Sequence, residues 1–127
     1  MHLVFVFGSL KKGFGNHRLL QDSEFIEPAV TKDATFKMVS YGGFPGMYHG
    51  GNTAIHGEVY EVDDETFQRL DRLEGHPNFY QREQIQVHLK RDADDVPIEA
   101  TAWMYINHGT GDEHQAIESG VWSHEKV

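Results

Sequence analysis

Two groups of residues in this chain could do chemistry. One is Glu74, which closes a helix-like segment just ahead of Gly75; the other is the backbone of a short glycine loop, Gly8-Ser9-Leu10-Lys11-Lys12-Gly13. A carboxylate in the last turn of a helix meets the negative end of the helix dipole. With Leu73 beside it and Phe79 and Tyr80 close behind, it would also lose contact with water. Both effects raise its pKa toward neutrality, where a carboxylate can take a proton and return it. Position alone also describes an ordinary exposed glutamate at a helix end. In the loop, successive N–H groups can converge into an anion-holding concavity, and glycine lets a ligand come close to the main chain. The same pattern serves a plain strand-to-helix turn. Ser9 lies in no GxSxG turn and has no inferable His–Asp pair, so it reads as a hydrogen-bonding loop residue and not as a nucleophile. Lys11 and Lys12 offer a local positive field or ordinary surface charge.

Composition narrows the chemistry further. The chain has no cysteine, which excludes disulfides, thiolate nucleophiles and cysteine-based zinc sites. Its nine histidines are scattered, with no HExxH pair or compact ligand cluster, so no metal is expected. A formal charge of -9 would repel a phosphate backbone and argues against a nucleic-acid partner. No stretch is apolar and long enough to cross a bilayer as a helix, and the amino-terminal apolar run is too short for a secretory leader. That run is expected to be structure, in a cytoplasmic protein. At 127 residues, with 39% hydrophobic and 24% charged residues, the chain suits a single domain over 1–127 with one core.

The elements that must hold these residues can be read from periodicity. Leu3 to Phe7 is a buried strand, broken at Gly8. Asn16 to Gln21 suits a short helix capped by Asn16, with Leu19 and Leu20 turned inward. Phe25 to Tyr41 gives one or two strands, with Ala34, Phe36, Met38 and Ser40 on one face. Met47 and Tyr48 form a brief edge strand between glycine clusters, and Ile55 to Val62 is a clear strand. Asp63-Asp64-Glu65 opens the main helix, Phe67, Leu70 and Leu73 give its buried stripe, and Gly75 and Pro77 end it. Tyr80 to Lys90 and Ile98 to Asn107 are strands joined by an acidic loop whose Asp94-Asp95 pair suits a solvated tip. The expected class is α+β: a small mixed, barrel-like sheet with one main helix and one short helix.

The segment Phe7-Gly8-Ser9-Leu10-Lys11-Lys12-Gly13, followed by Asn16-His17, resembles the Tyr-Gly-Ser/Thr-Leu-Lys-x-Gly loop of the γ-glutamylcyclotransferase-like family, especially its γ-glutamylaminecyclotransferase branch. Gly57-Glu58-Val59-Tyr60 and Leu70-Asp71-Arg72-Leu73-Glu74-Gly75-His76-Pro77-Asn78-Phe79-Tyr80-Gln81-Arg82 resemble its Gly-x-Val-Tyr strand and Leu-Asp-x-x-Glu-Gly-x-Pro-x-x-Tyr-x-Arg block. Ala102-Trp103-Met104-Tyr105 and Ser119-Gly120-Val121-Trp122 are similar to the ending of compact bacterial members. The resemblance implies a γ-glutamyl cyclotransferase that needs no cofactor and takes a small γ-glutamyl compound. Its implied catalytic acid/base is Glu74. Phe7, Gly8, Ser9, Leu10 and Tyr80 would bind substrate, with the loop amides on its α-carboxylate or on the developing oxyanion. Tyr80 also suits a half-buried strand aromatic, and Arg82 suits a partner for an acidic neighbour or a substrate carboxylate. Phe7 stands where the family usually has tyrosine, a departure that leans toward a noncatalytic binding domain on the same fold. Gly42 to Tyr48 and the loop near Asn107 to His114 are the candidates for recognising the leaving amine.

Overall fold

The computed structural model describes residues 1–90 and 98–123. The Asp94-Asp95 pair lies outside the described residues. Strands β1 (His2–Val6), β2 (Glu24–Thr31), β5 (His56–Val62), β6 (Tyr80–Leu89) and β7 (Ile98–Asn107) form a closed barrel in the order β1-β5-β2-β6-β7. Neighbours are antiparallel except at the seam, where β1 runs parallel to β7 at Val4↔Trp103. Closure removes the exposed strand edges that a five-stranded sheet would otherwise carry. It also explains why β1 is a continuous apolar run. Val4, Phe5 and Val6 are all buried, because both faces of this strand are covered.

A second sheet, in the order β4-β3-β8, leans on the barrel: β3 (Phe36–Ser40) between β4 (Pro45–His49) and β8 (Gln115–Ala116). The segment 25–41 therefore splits between two sheets. Phe36 and Met38 point inward as expected, but Ala34 is exposed and precedes the strand. Met47 and Tyr48 sit in an edge strand, β4, which among the described strands pairs with β3 alone. Asn107 ties the two sheets together. Its side chain accepts from the Met47 N–H at 2.8 Å and donates to the Phe79 carbonyl at 3.4 Å, in a buried setting that leaves little room for an unpaired amide.

Helix α1 (Asp64–Glu74) begins as its sequence dictates: the Asp63 carboxylate caps it by accepting from the Thr66 N–H at 2.8 Å, and Asp64 and Glu65 lie at its positive end. Gly75 ends it in the left-handed conformation (φ 68°), where glycine has no Cβ penalty. Phe67 and Leu70 are buried, with Phe67 stacked on His2 (4.3 Å between centroids). Leu73 departs from the expected stripe and is 42% exposed, since the last turn of the helix borders a cavity. The short helix is a 3-10 turn, His17–Leu20, with Leu20 buried.

Candidate active site

At the end of β1, backbone and side-chain bonds shape the loop. Lys11 N–H donates to the Gly8 carbonyl at 3.0 Å, and Asn16 N–H donates to the Ser9 carbonyl at 2.9 Å. Asn16 does not cap the 3-10 turn. Its side-chain amide donates instead to Ser9 Oγ at 2.8 Å, which spends both side chains on fixing the loop. His17 Nδ1 lies 3.0 Å from the Leu10 carbonyl. Lys11 is neither a surface lysine nor a charge facing a ligand: it is buried and donates to the Trp122 carbonyl at 2.7 Å, pinning the loop to the chain's tail. Burial lowers its pKa, with the nearby Glu58 charge opposing. Lys12 N–H donates to Glu58 at 2.9 Å. The N–H groups of Gly8, Ser9 and Leu10 donate to no acceptor among the described residues. Three consecutive amides are thus left without an acceptor among the described residues.

Glycine at position 8 answers a close approach and not a left-handed backbone, for its φ is not positive. A Cβ there would lie 2.8 Å from Pro45 Cγ, so the β3–β4 turn closes directly over the loop.

Gly8, Ser9 and Leu10 line a cavity of about 350 Å³ between the end of β1, the β3–β4 turn and the end of α1. Glu74 lines it, together with Phe7, Gly8, Ser9, Leu10 and Tyr80. All six residues that the sequence and its resemblance single out therefore share one cavity. The Glu74 carboxylate has no hydrogen-bond or ion-pair partner among the described residues, and burial pushes its pKa from the ordinary 4.5 up to about 7. Tyr80 is buried, and its hydroxyl donates to the Pro45 carbonyl at 2.5 Å. Burial first and the Glu74 charge second raise its pKa, so the phenol stays protonated. Phe7 is buried and presents an unsubstituted ring where a phenol would need a partner.

Behind the cavity stands a cluster that inspection of the sequence does not reveal. Tyr105 lines the cavity and donates to Asp71 Oδ1 at 2.6 Å. Arg82, directly across the β6–β7 ladder from Tyr105, grips the same carboxylate through Nε at 2.8 Å and Nη2 at 3.2 Å. Its guanidinium lies over the rings of Phe67 (4.3 Å) and Trp103 (4.8 Å). Arg82 thus serves an acidic neighbour and is not among the cavity-lining residues. Burial raises the Asp71 pKa, but the Arg82 and Tyr105 hydrogen bonds and the Arg82 charge outweigh it and hold Asp71 below the usual carboxylate range. The available signal was spacing: Asp71 sits three residues before Glu74, on the same face of α1.

The two segments expected to meet the leaving amine separate here. Gly43, Phe44 and Pro45 line the cavity; no residue of 107–114 does, although His114 packs edge-on against Tyr41 at 4.5 Å. Among the described residues no group of three or more His, Asp or Glu side chains could hold a metal ion, and no helix is long and apolar enough to cross a membrane.

Comparison with known proteins points the same way. Residues 4–124 match the model of the family described as gamma-glutamyl cyclotransferase, AIG2-like. A Vibrio cholerae protein named as a candidate gamma-glutamylcyclotransferase is 39% identical over 121 residues, covering 95% of each chain. Gamma-glutamylaminecyclotransferase C of Danio rerio is 37% identical over 116 residues, covering 84% of this chain and 76% of its own. An AIG2-like protein from Mus musculus, at 24% identity, shares the fold with a TM-score of 0.82 over 97% of this chain and 88% of its own. The barrel, the loop after β1 and the match across nearly the full length lead to one conclusion: this chain belongs to the gamma-glutamyl cyclotransferase, AIG2-like family.

Proposed function

We infer that this protein cyclises a small γ-glutamyl compound, releasing 5-oxoproline and a free amine, with Glu74 carrying the proton. The observation that carries this reading is a carboxylate poised near neutrality in a cavity lined also by Gly8, Ser9 and Leu10, the carboxylate and the three loop amides having no partner among the described residues. The substrate brings its own nucleophile. Its α-amine attacks its γ-carbonyl carbon, a ring C–N bond forms, and the original amide C–N bond breaks. No water is consumed and no electron changes hands. Proximity is built into the substrate, so the protein has to fold it into the cyclising conformer and move protons. Glu74 as carboxylate accepts the proton lost by the α-ammonium and as acid delivers it to the departing nitrogen. The amides of Gly8, Ser9 and Leu10 bind an oxygen anion, either the α-carboxylate or the oxyanion that develops at the γ-carbon. Tyr80 holds the β3–β4 turn over the loop through its bond to Pro45 and gives one wall of the glutamyl subsite. Asp71 and Arg82 position Tyr105, whose oxygen keeps lone pairs for a substrate donor.

The reading predicts that γ-glutamyl amides yield 5-oxoproline and an equal amount of free amine. Acetylating the α-amine removes the nucleophile and esterifying the α-carboxylate removes the anion, so both analogues should fail. Brisk cyclisation of the ester would sink the role given to the loop, and absence of 5-oxoproline from every γ-glutamyl compound would leave a binding domain in place of an enzyme.

A further inference from the structure

The cavity's outer wall is apolar. Of the seven large hydrophobic residues left exposed among the described residues, three ring this one cavity: Phe44 (42% exposed), Leu73 (42%) and Phe79 (48%). Scattered singly, such residues would need no explanation; gathered at the rim of one cavity, they mark a surface awaiting an apolar partner. They are also joined. Tyr41 packs between Phe44 (5.2 Å between centroids) and Phe79 (6.1 Å), and Phe79 packs edge-on against Tyr80 (4.9 Å), so the wall runs from the rim to the glutamyl subsite.

The three side-chain hydroxyls of the lining each already hold one protein partner. Ser9 is tied to Asn16, Tyr80 to the Pro45 carbonyl and Tyr105 to Asp71. Glu74 is the sole charged side chain among the described lining residues, and the cyclisation chemistry uses it. No lysine, arginine or histidine in the lining could receive a leaving group's carboxylate, and no second carboxylate could receive a terminal ammonium. The net charge of -9 would draw a cationic amine from a distance, but screening weakens that field beyond about 10 Å and it supplies no contact within the cavity.

Resting on the cyclotransferase reading above, we propose that the collar of Phe44, Leu73 and Phe79 selects γ-glutamyl amides whose amide nitrogen carries an uncharged, apolar alkyl or aryl substituent. A charged end brought against this collar would be desolvated with nothing to pair with. An alkyl end replaces water on three apolar side chains.

The test compares three γ-glutamyl amides of similar length: the n-pentylamide, the aminobutylamide with an ammonium where the pentyl chain ends in methyl, and the carboxypropylamide with a terminal carboxylate. The kcat/KM for 5-oxoproline release should favour the pentylamide by about tenfold or more over each charged amide, the size of discrimination an apolar pocket delivers. Phe44→Glu, a change at an exposed turn position, should shift the preference toward the aminobutylamide, and Leu73→Glu should do the same. Turnover of either charged amide as fast as the pentylamide, or an unchanged preference in both variants, would overturn the proposal while leaving the cyclotransferase reading intact. No 5-oxoproline from any of the three would bring down both.

Discussion

Replacing Glu74 by glutamine should stabilise the protein, and only above acidic pH. In the native state burial holds this carboxyl at about 7, against 4.5 ordinarily. A raised carboxyl pKa means that the folded state binds its proton more tightly than the unfolded chain does. Below 4.5 both states are protonated and the group costs nothing. Between 4.5 and about 7 the unfolded chain ionises while the native protein resists, and stability is lost; above 7 the loss is complete. At roughly 1.4 kcal/mol per pH unit, that interval amounts to about 3 kcal/mol, an upper figure because the carboxylate keeps some solvent through the cavity mouth. Glutamine keeps the size and removes the charge. In a chain of this length, 1 kcal/mol moves Tm by roughly 3–5 °C, so Glu74→Gln should melt roughly 10 °C above wild type at pH 8 and together with it at pH 4. Thermal unfolding of the two proteins across that range is the assay. All other carboxylates are common to both, so the difference isolates Glu74. A constant difference at every pH, or a variant less stable at pH 8, would refute the burial argument.

Other expectations follow from the same geometry. Cyclisation of a γ-glutamyl amide should lose rate as pH falls through about 7, because protonated Glu74 cannot accept the α-ammonium's proton; a kcat/KM profile flat from pH 6 to 8 would contradict this. Ser9→Ala should lower activity only severalfold, since it removes one bond to Asn16, whereas Gly8→Val should abolish glutamyl binding by driving a Cβ into Pro45; calorimetric titration distinguishes the two, and a stable acyl adduct on Ser9 in mass spectrometry would count against the mechanism. Asp71→Asn should cost about 1–3 kcal/mol in denaturant titration at pH 7 by unpairing Arg82. Because the Asp71 pKa is lowered in the native state, that stabilisation is present above 3.8 and fades as pH falls through the lower native value.

Much of this architecture was legible because local signals and tertiary demands agree. The run from Leu3 to Phe7 needs two covered faces and receives them in the barrel; Asp63 and Gly75 bracket α1 through capping chemistry that any helix requires. The resemblance implies the fold and the family and singles out Glu74, the loop and Tyr80, which share one cavity. Local reasoning failed where a residue serves a distant one. Asn16 looks like a cap, but it makes no side-chain capping bond and its amide N–H donates to Ser9 Oγ; Lys11 looks like surface charge, but the Trp122 carbonyl, 111 residues away, takes it inside. Leu73 continues the helical apolar period yet turns outward, because the cavity begins at that turn. Periodicity cannot show that Arg82 and Tyr105 meet at Asp71, since the meeting depends on the β6–β7 register. Closure of the barrel by a parallel seam between its first and last strands is equally a long-range event.

The most direct test of the account measures 5-oxoproline released from a γ-glutamyl alkylamide by wild type and by Glu74→Gln at pH 8, with binding of the amide to both proteins followed by calorimetry. Wild type should release 5-oxoproline and free amine in equal amounts, while Glu74→Gln should bind the amide and release neither, a loss of at least about a hundredfold for a missing proton carrier. Glu74→Gln turning over at the wild-type rate would contradict the claim that this carboxylate moves the proton.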